Sequence, residues 1–275
     1  MAQINVKGRQ IGYKIWHEQQ PITLVLLHGF TGSAQGWEQI AKQFDQFRVL
    51  AIDMVGHGES DAPIKSSEYE MAVQIELIKE VLEELQLEQV YLLGYSMGGR
   101  IALSFACAYP NYVKALFLES ATAGIEKEDL RKERRASDER LAEKIEREGV
   151  ESFVQHWENI PLFESHKMLP TSVQNKLRQE RLSQRVIGLA NSLRGIGTGK
   201  MPSVWSQLKN LDMPVYLMAG EKDEKFIQLN RKMQTIIANA VFLVIPCVGH
   251  TIHVENPSYF VKIVKDKILI LEEEQ

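Results

Sequence analysis

Three residue types that can together move a proton or attack a carbonyl occur in this chain. Ser96 lies within Gly-Tyr-Ser-Met-Gly, Asp223 ends Gly-Glu-Lys-Asp, and His250 follows a glycine. In such a triad the histidine takes the proton of the serine hydroxyl, while the carboxylate orients the histidine and stabilises its charged form. The chemistry open to this set is acyl transfer, hydrolysis or abstraction of a carbon-bound proton.

The segment around Ser96 predicts a sharp turn from a strand into a helix. In Gly-x-Ser-x-Gly the glycines, here Gly94 and Gly98, leave room that a Cβ atom would occupy. The turn lifts the serine hydroxyl clear of the sheet and aims the N–H of Met97 at a forming oxyanion. A second N–H can come from Phe30 in His-Gly-Phe-Thr-Gly, although an ordinary turn explains that segment equally well when it is taken alone. We expect Phe30 and Met97 to form the oxyanion hole.

Two neighbouring residues compete for the roles of acid and base. Glu221 lies two positions before Asp223, and His253 lies three positions after His250. We favour His250 because it is nearer to the preceding apolar run and because Gly249 gives it a freer loop position. Asp223 is preferred on the general geometry of a triad, and Glu221 stays as the alternative acid.

The elements that must position these residues are apolar runs that alternate with helical patterns. Such alternation favours a mostly parallel sheet with helices on both faces, and the first two strands should form a hairpin around Gln10. The carboxyl ends of parallel strands meet at one edge, so Ser96, Asp223 and His250 should converge there. The predicted strands are residues 6–9, 11–16, 23–27, 48–52, 90–93, 114–118, 215–219 and 241–245.

The strand pattern stops between residues 124 and 200. Long helical stretches replace it, first highly charged and then richer in apolar residues that suit either a pocket or the interior of the segment itself. We interpret this segment as an inserted helical cap. The domain prediction is therefore a core in two parts, 1–123 and 201–275, with the cap at 124–200.

Composition narrows the function classes. With 275 residues, 44% hydrophobic content and a net charge of −4, the chain suits a globular domain without a general nucleic-acid surface or anionic-membrane surface. No secretory signal and no bilayer-spanning apolar run is visible, so we expect a cytoplasmic protein. We expect Cys107 and Cys247 to be small packed side chains rather than metal ligands. The acidic end, residues 272–275, is predicted to be frayed, and nothing in the sequence indicates an oligomeric state.

Several segments together resemble known families. The segments around Ser96, Asp223 and His250, with His-Gly-Phe-Thr-Gly, resemble the α/β-hydrolase superfamily along the whole chain, which implies an eight-stranded sheet. More narrowly, Gly-Tyr-Ser-Met-Gly-Gly-Arg, the Arg-rich stretch at 131–138, Gly-Glu-Lys-Asp-Glu-Lys-Phe and Gly-His-Thr-Ile-His-Val-Glu-Asn-Pro are similar to the 2-succinyl-6-hydroxy-2,4-cyclohexadiene-1-carboxylate synthase family of menaquinone (vitamin K2) biosynthesis.

The narrower resemblance implies a lyase that eliminates pyruvate from a polycarboxylate substrate, with no metal and no cofactor. By position, Arg100, Arg134 and Arg181 would bind the carboxylates, because the planar guanidinium pairs with a carboxylate through two hydrogen bonds. The alignment within the cap is loose, so Arg135 and Arg185 stay as alternatives.

The resemblance also assigns Tyr95 and Trp157 to the substrate pocket.

Two other function classes stay open. An esterase or carbon–carbon bond hydrolase would use the same triad as a nucleophile system, and a non-catalytic binding protein would use only the fold. The intact triad argues against the binding protein, and the cap arginines favour the lyase over the hydrolase.

Overall fold

The computed structural model describes residues 1–274, and its centre is a sheet of eight strands. The strand order is β1-β2-β4-β3-β5-β6-β7-β8; β2 runs antiparallel to β1 and β4, and the pairs from β4 to β8 are parallel. The predicted fold class is confirmed. The strands are β1 (Ala2–Val6), β2 (Arg9–Trp16), β3 (Thr23–Leu27), β4 (Arg48–Ile52), β5 (Val90–Tyr95), β6 (Val113–Glu119), β7 (Val215–Gly220) and β8 (Ala240–Ile245).

The helices cover both faces of this sheet and build the cap. The central strand β3 shows why its residues are apolar throughout: Val25 and Leu27 pack into the core on one face, and Leu24 and Leu26 into the core on the other. The α-helices are α1 (Glu38–Ala41), α2 (Met71–Glu84), α3 (Met97–Ala108), α4 (Glu128–Trp157), α5 (Thr171–Leu182), α6 (Val186–Ile196), α7 (Glu224–Gln234), α8 (Ile252–Glu255) and α9 (Pro257–Glu273).

The first hairpin turns earlier than the sequence pattern predicts. β1 pairs with β2 so that Val6 lies opposite Arg9, which leaves Lys7 and Gly8 as a two-residue turn, and the predicted turn at Gln10 is wrong. Both turn residues have positive φ, 51° and 79°. Such turns match the twist of the flanking strands, and Gly8 adopts this conformation without steric cost.

The segment predicted as a cap, 124–200, contains α4, α5 and α6 and a 3-10 helix over Pro161–Met168. α4 bends at Gly149, whose φ of 80° and ψ of 174° are not helical. Its two halves pack against α6 around a small apolar core that includes Ile145, Phe153 and Leu189. Part of the apolar content of this segment thus serves its own interior. The bounds 124 and 200 stay an interpretation.

Two smaller expectations change. Cys247 is exposed in the loop after β8, so its predicted packing role is wrong, whereas Cys107 is partly buried. The acidic end is helical to Glu273, and Glu272 accepts hydrogen bonds from Tyr91 (2.6 Å) and Lys114 (2.8 Å), so fraying there is also wrong. The last residue of that prediction, Gln275, lies outside the described residues. Within 1–274, no helix is long and apolar enough to cross a membrane.

Candidate active site

Ser96 lies at the turn between β5 and α3 in a backbone conformation that few non-glycine residues adopt. Its φ is 50° and its ψ is −102°. A Cβ on Gly94 would lie 2.3 Å from the Gly98 carbonyl oxygen, and one on Gly98 would lie 2.1 Å from that of Leu27. Only glycine fits these two positions, because real Cβ atoms do not approach a carbonyl oxygen so closely. The glycines therefore permit the turn that presents the Ser96 hydroxyl.

The structure brings the predicted serine, histidine and aspartate together. The Ser96 Oγ lies 3.1 Å from Nε2 of His250, whose Nδ1 lies 2.6 Å from Oδ2 of Asp223. Asp223 and His250 are 7% and 2% exposed, so the carboxylate–imidazole pair is shielded from water. This geometry lets His250 exchange a proton with Ser96 while the aspartate holds the other ring nitrogen.

The two competing residues make other contacts. Glu221 is exposed and accepts a hydrogen bond from the Cys247 N–H at 2.8 Å. The ring of His253 bonds through Nδ1 to both oxygens of the fully buried Glu119, at 2.9 and 2.8 Å, and packs 4.4 Å from the ring of Trp37. Neither residue takes the place of Asp223 or His250 beside Ser96.

The two proposed oxyanion donors stand at the same cavity as Ser96. Met97 is the first residue of α3, and the first N–H groups of a helix have no acceptor within the helix. The ring of Phe30 packs against Trp157 (5.5 Å) and His57 (6.1 Å). His57 is fully buried, and burial lowers its pKa to about 3, so it supports the Phe30 loop as a neutral ring. The assignment of the Phe30 and Met97 N–H groups as an oxyanion hole stays a prediction.

The cavity above Ser96 has a volume of about 340 Å³ and lies between the carboxyl edge of the sheet and the cap. Arg100 and Arg134 both line it. Arg100 is largely enclosed and donates to the Ile196 carbonyl at 2.5 Å. Burial, with repulsion from Arg134, lowers its pKa to about 10, and it stays charged at neutral pH. Within residues 1–274, no carboxylate lies within 4.0 Å of its guanidinium group.

Arg134 donates from Nε to the carboxylate of Asp138 at 2.8 Å, one helical turn away on α4. Asp138 is 5% exposed, and its burial raises the pKa of its carboxyl although Arg134 and Arg100 oppose the shift. The cavity therefore holds two guanidinium groups and a single, poorly solvated carboxylate near them. An anionic ligand would find a net positive wall there.

Arg181 is not in this cavity. It is 8% exposed, its guanidinium lies 5.0 Å from the ring centre of Phe163, and burial lowers its pKa. It lines an adjoining cavity of about 80 Å³ that shares Phe30, Tyr95 and Phe163 with the larger one. Across the described chain, Arg181 also has no carboxylate within 4.0 Å.

The two alternative cap arginines, Arg135 and Arg185, donate hydrogen bonds to backbone carbonyl groups. Arg135 donates to the Gly199 carbonyl at 3.2 Å and to Glu128 at 2.7 Å. Arg185 donates to the carbonyl groups of His57, Gly58 and Ser60. Both guanidinium groups are thus satisfied by contacts outside the cavities that hold Ser96 and Arg181.

Tyr95 and Trp157 both line the cavity of Ser96, and their assignment to substrate binding stays a prediction. Tyr95 lines both cavities and shares a hydrogen bond of 2.9 Å with Thr251 Oγ1; burial raises its pKa. Trp157 lines the larger cavity, and its buried Nε1 has no hydrogen-bond partner among residues 1–274. An unpaired buried N–H is costly unless a ligand or water accepts from it.

Sequence reasoning missed Lys225. It follows Asp223 by two residues, lines the cavity of Ser96 in the first turn of α7, and burial lowers its pKa. Its signal was a basic residue next to a triad acid at a strand end, in the segment Gly-Glu-Lys-Asp-Glu-Lys-Phe. Lys225 adds a third cation to the wall of the cavity.

The chain is similar to known proteins over most of its length. The model of the alpha/beta hydrolase fold family matches residues 22–257. A protein of Bacillus subtilis (strain 168), provisionally named 2-succinyl-6-hydroxy-2,4-cyclohexadiene-1-carboxylate synthase, is 45% identical over 88% of this chain and 89% of its own length. The synthase of that name from Enterobacter sp. (strain 638) is 31% identical over 86% of this chain and 87% of its own.

Solved structures agree on the fold. MenH from S. aureus superposes with a TM-score of 0.91 and 36% identity, covering 94% of this chain and 98% of that one. The enol-lactonase from Burkholderia xenovorans LB400 has a TM-score of 0.85 over 98% of this chain and 100% of its own, with 19% identity. At 19% identity, the similarity to the lactonase shows only that the fold is shared.

Proposed function

Because the chain belongs to the alpha/beta hydrolase fold family and, within it, to the 2-succinyl-6-hydroxy-2,4-cyclohexadiene-1-carboxylate synthases, we propose that it is a lyase that uses Ser96, His250 and Asp223 for proton abstraction. Its substrate is 2-succinyl-5-enolpyruvyl-6-hydroxy-3-cyclohexene-1-carboxylate, and it releases pyruvate. The reaction belongs to menaquinone biosynthesis.

The observation that carries this proposal is the pair of enclosed arginines without carboxylate partners. Arg100 lines the cavity of Ser96 and Arg181 the cavity beside it, and neither has a carboxylate within 4.0 Å in the described chain. Burying an unpaired charge is costly, so such a charge is best explained by a ligand that supplies the opposite one. A substrate with several carboxylates does so, whereas a neutral ester does not.

The triad geometry supports an elimination in which every proton is accounted for. His250 takes the hydroxyl proton of Ser96, and the serine oxygen takes the ring proton next to the succinyl carbonyl. The electron pair of the broken C–H bond moves through the ring double bond and breaks the C–O bond to the enolpyruvyl group. The proton held by His250 passes to the departing group, which becomes pyruvate, so no water is consumed.

Two further groups would stabilise the charge that develops on the substrate. As the ring proton leaves, negative charge builds on the carbonyl oxygen, where the N–H groups of Phe30 and Met97 would donate hydrogen bonds. Asp223 would balance the positive charge on His250 during the same step. A serine hydroxyl alone is a poor base, and this explains why a lyase would keep the full triad.

The proposal is tested by mixing the purified chain with freshly prepared substrate and following pyruvate with a coupled assay. We expect one pyruvate per substrate consumed, at a rate well above the spontaneous elimination of the same preparation. The matched control is Ser96→Ala at the same concentration. Pyruvate release no faster than in the buffer would refute the proposed function.

A further inference from the structure

The loop that carries His250 is held by a carboxylate outside the triad. Glu255, the last residue of α8, accepts hydrogen bonds from the N–H of Gly249 at 2.7 Å and from that of Thr251 at 3.2 Å. Its side chain is 5% exposed. These two residues lie immediately before and after His250, so one buried carboxylate holds the backbone on both sides of the proposed base.

The peptide group between His250 and Thr251 is held from two directions. Its N–H donates to Glu255, and its carbonyl, that of His250, accepts from the Ser120 hydroxyl at 2.9 Å. Hydrogen bonds to an ionised carboxylate are stronger than neutral ones. A loop peptide fixed at both its donor and its acceptor leaves His250 little freedom to rotate away from Ser96.

Among residues 1–274, no lysine or arginine lies within 4.0 Å of the Glu255 carboxylate. The nearest titratable side chain from the cap is His166, whose Nε2 lies 3.8 Å from Glu255 Oε1 and bonds to Thr251 Oγ1 at 3.1 Å. Burial, with repulsion from Arg181, lowers the pKa of His166 to about 3, so it is neutral at pH 7. The partners of Glu255 are therefore the loop amides, which argues for a role in the shape of the loop.

We propose that Glu255 is a positioning residue that keeps Nε2 of His250 within hydrogen-bond distance of Ser96. The inference rests on the catalytic roles proposed for these two residues. A displacement of about 1 Å at a reacting group can cost on the order of a hundredfold in rate. Glu255 bonds to the loop backbone and does not line the cavity of Ser96, so loss of Glu255 should lower kcat and leave KM nearly unchanged.

The test compares Glu255→Ala and Glu255→Gln with Glu221→Ala. Glu221 is the matched control because it is exposed and also accepts a backbone N–H of this loop, that of Cys247, whereas the N–H groups of Gly249 and Thr251 donate to Glu255. In Glu255→Ala we expect kcat to fall on the order of 10- to 100-fold, with KM within about twofold of the wild-type value. The glutamine variant, which keeps one acceptor oxygen, should recover part of kcat.

A second readout does not depend on the natural substrate. The rate at which a neutral fluorophosphonate labels Ser96 depends on a correctly placed His250 and not on the carboxylate-binding groups, so it should fall in parallel with kcat. If the wild-type chain releases no pyruvate, the proposed function fails and the labelling rate still decides the role of Glu255. Wild-type kcat and labelling in a folded Glu255→Ala variant, or in Glu255→Gln should the alanine variant not fold, would overturn the inference.

Discussion

At the scale of residues, Ser96, His250 and Asp223 form one chain of hydrogen bonds. Replacing any of them with alanine breaks the same proton path, so each single change should lower the rate of pyruvate release by several powers of ten. Double changes should cost little more, because members of such a unit are not additive. Steady-state kinetics of the single and double variants check this, and a Ser96→Ala enzyme near the wild-type rate would contradict it.

Arg100 on α3 and Arg134 on α4 give a prediction about substrate binding. Arg100→Met removes an enclosed charge that should bind a substrate carboxylate. We expect kcat/KM to fall by a factor that corresponds to a loss of transition-state stabilisation on the order of 2 kcal/mol or more. Arg134→Ala should lose less transition-state stabilisation, about 1 kcal/mol, because the Arg134 side chain is 40% exposed.

Arg135 supplies the control for this pair. It follows Arg134 directly on α4 but bonds to Gly199 and Glu128, so Arg135→Ala should change kcat/KM little. The same arginine changes should leave fluorophosphonate labelling of Ser96 within about twofold of the wild-type rate. Equal losses in labelling and in pyruvate release would mean that the arginines support the fold rather than bind the substrate.

At the scale of elements, the strands were predictable because buried strands of a parallel sheet are continuous apolar runs. Residues 23–27 and 48–52 match β3 and β4. The exception is the first hairpin, where Lys7-Gly8 rather than Gln10 forms the turn. Alternating polar and apolar residues leave the register open there, and only the backbone conformation that Gly8 permits decides it.

The site was less predictable where helices contribute to it. Residues at strand ends converge by topology, which is why Asp223 and His250 could be paired with Ser96 from sequence. Arg181 lies behind Phe163 in the smaller cavity, and this depends on how the cap helices pack. Glu255 acts on backbone amides, and no spacing of side-chain types signals such a contact.

The kink in α4 gives a prediction at this scale. Gly149 has a φ of 80° and a ψ of 174°, a region that residues with a Cβ avoid. Apart from its neighbours along the chain, no atom of residues 1–274 lies within 4 Å of where that Cβ would be. Gly149→Ala should therefore destabilise the fold by about 1–3 kcal/mol through backbone strain alone. Urea unfolding measures this change, with the exposed Gln155→Ala on the same helix as control.

Trp157 ends the half of α4 that follows the kink, so we expect a shift in tryptophan emission and a raised KM in Gly149→Ala. Straightening α4 would move its second half relative to Arg134, and both residues line the cavity of Ser96. Unchanged stability together with unchanged KM would show that the kink plays no part in forming the pocket.

At the scale of the whole molecule, two buried histidines should make the fold sensitive to acid. The pKa of His57 and of His166 is lowered to about 3 by burial, against an ordinary value of 6.5. Between pH 6.5 and 3 these two histidines are therefore protonated in the unfolded chain but not in the native chain. The free energy of unfolding decreases as the pH falls through this range. At pH 4.5 each of these histidines should lower the free energy of unfolding by up to about 2–3 kcal/mol.

Urea midpoints at pH 7 and pH 4.5 measure this effect. His57→Gln should lose less stability than wild type over that interval, since the glutamine does not titrate. The exposed His156→Gln serves as control and should keep the wild-type slope. An identical slope in His57→Gln and wild type would contradict the assigned protonation of His57.

The central claim is that Ser96 relays a proton and does not attack a carbonyl. The most direct measurement is to quench the reaction during turnover in ¹⁸O-labelled water and to determine the mass of the Ser96 peptide and of the products. The lyase account predicts stoichiometric pyruvate, no burst, no substrate-derived mass on Ser96 and no label in a newly formed carboxylate. An acylated Ser96 peptide together with ¹⁸O in a carboxylate product would contradict it and would establish a serine hydrolase instead.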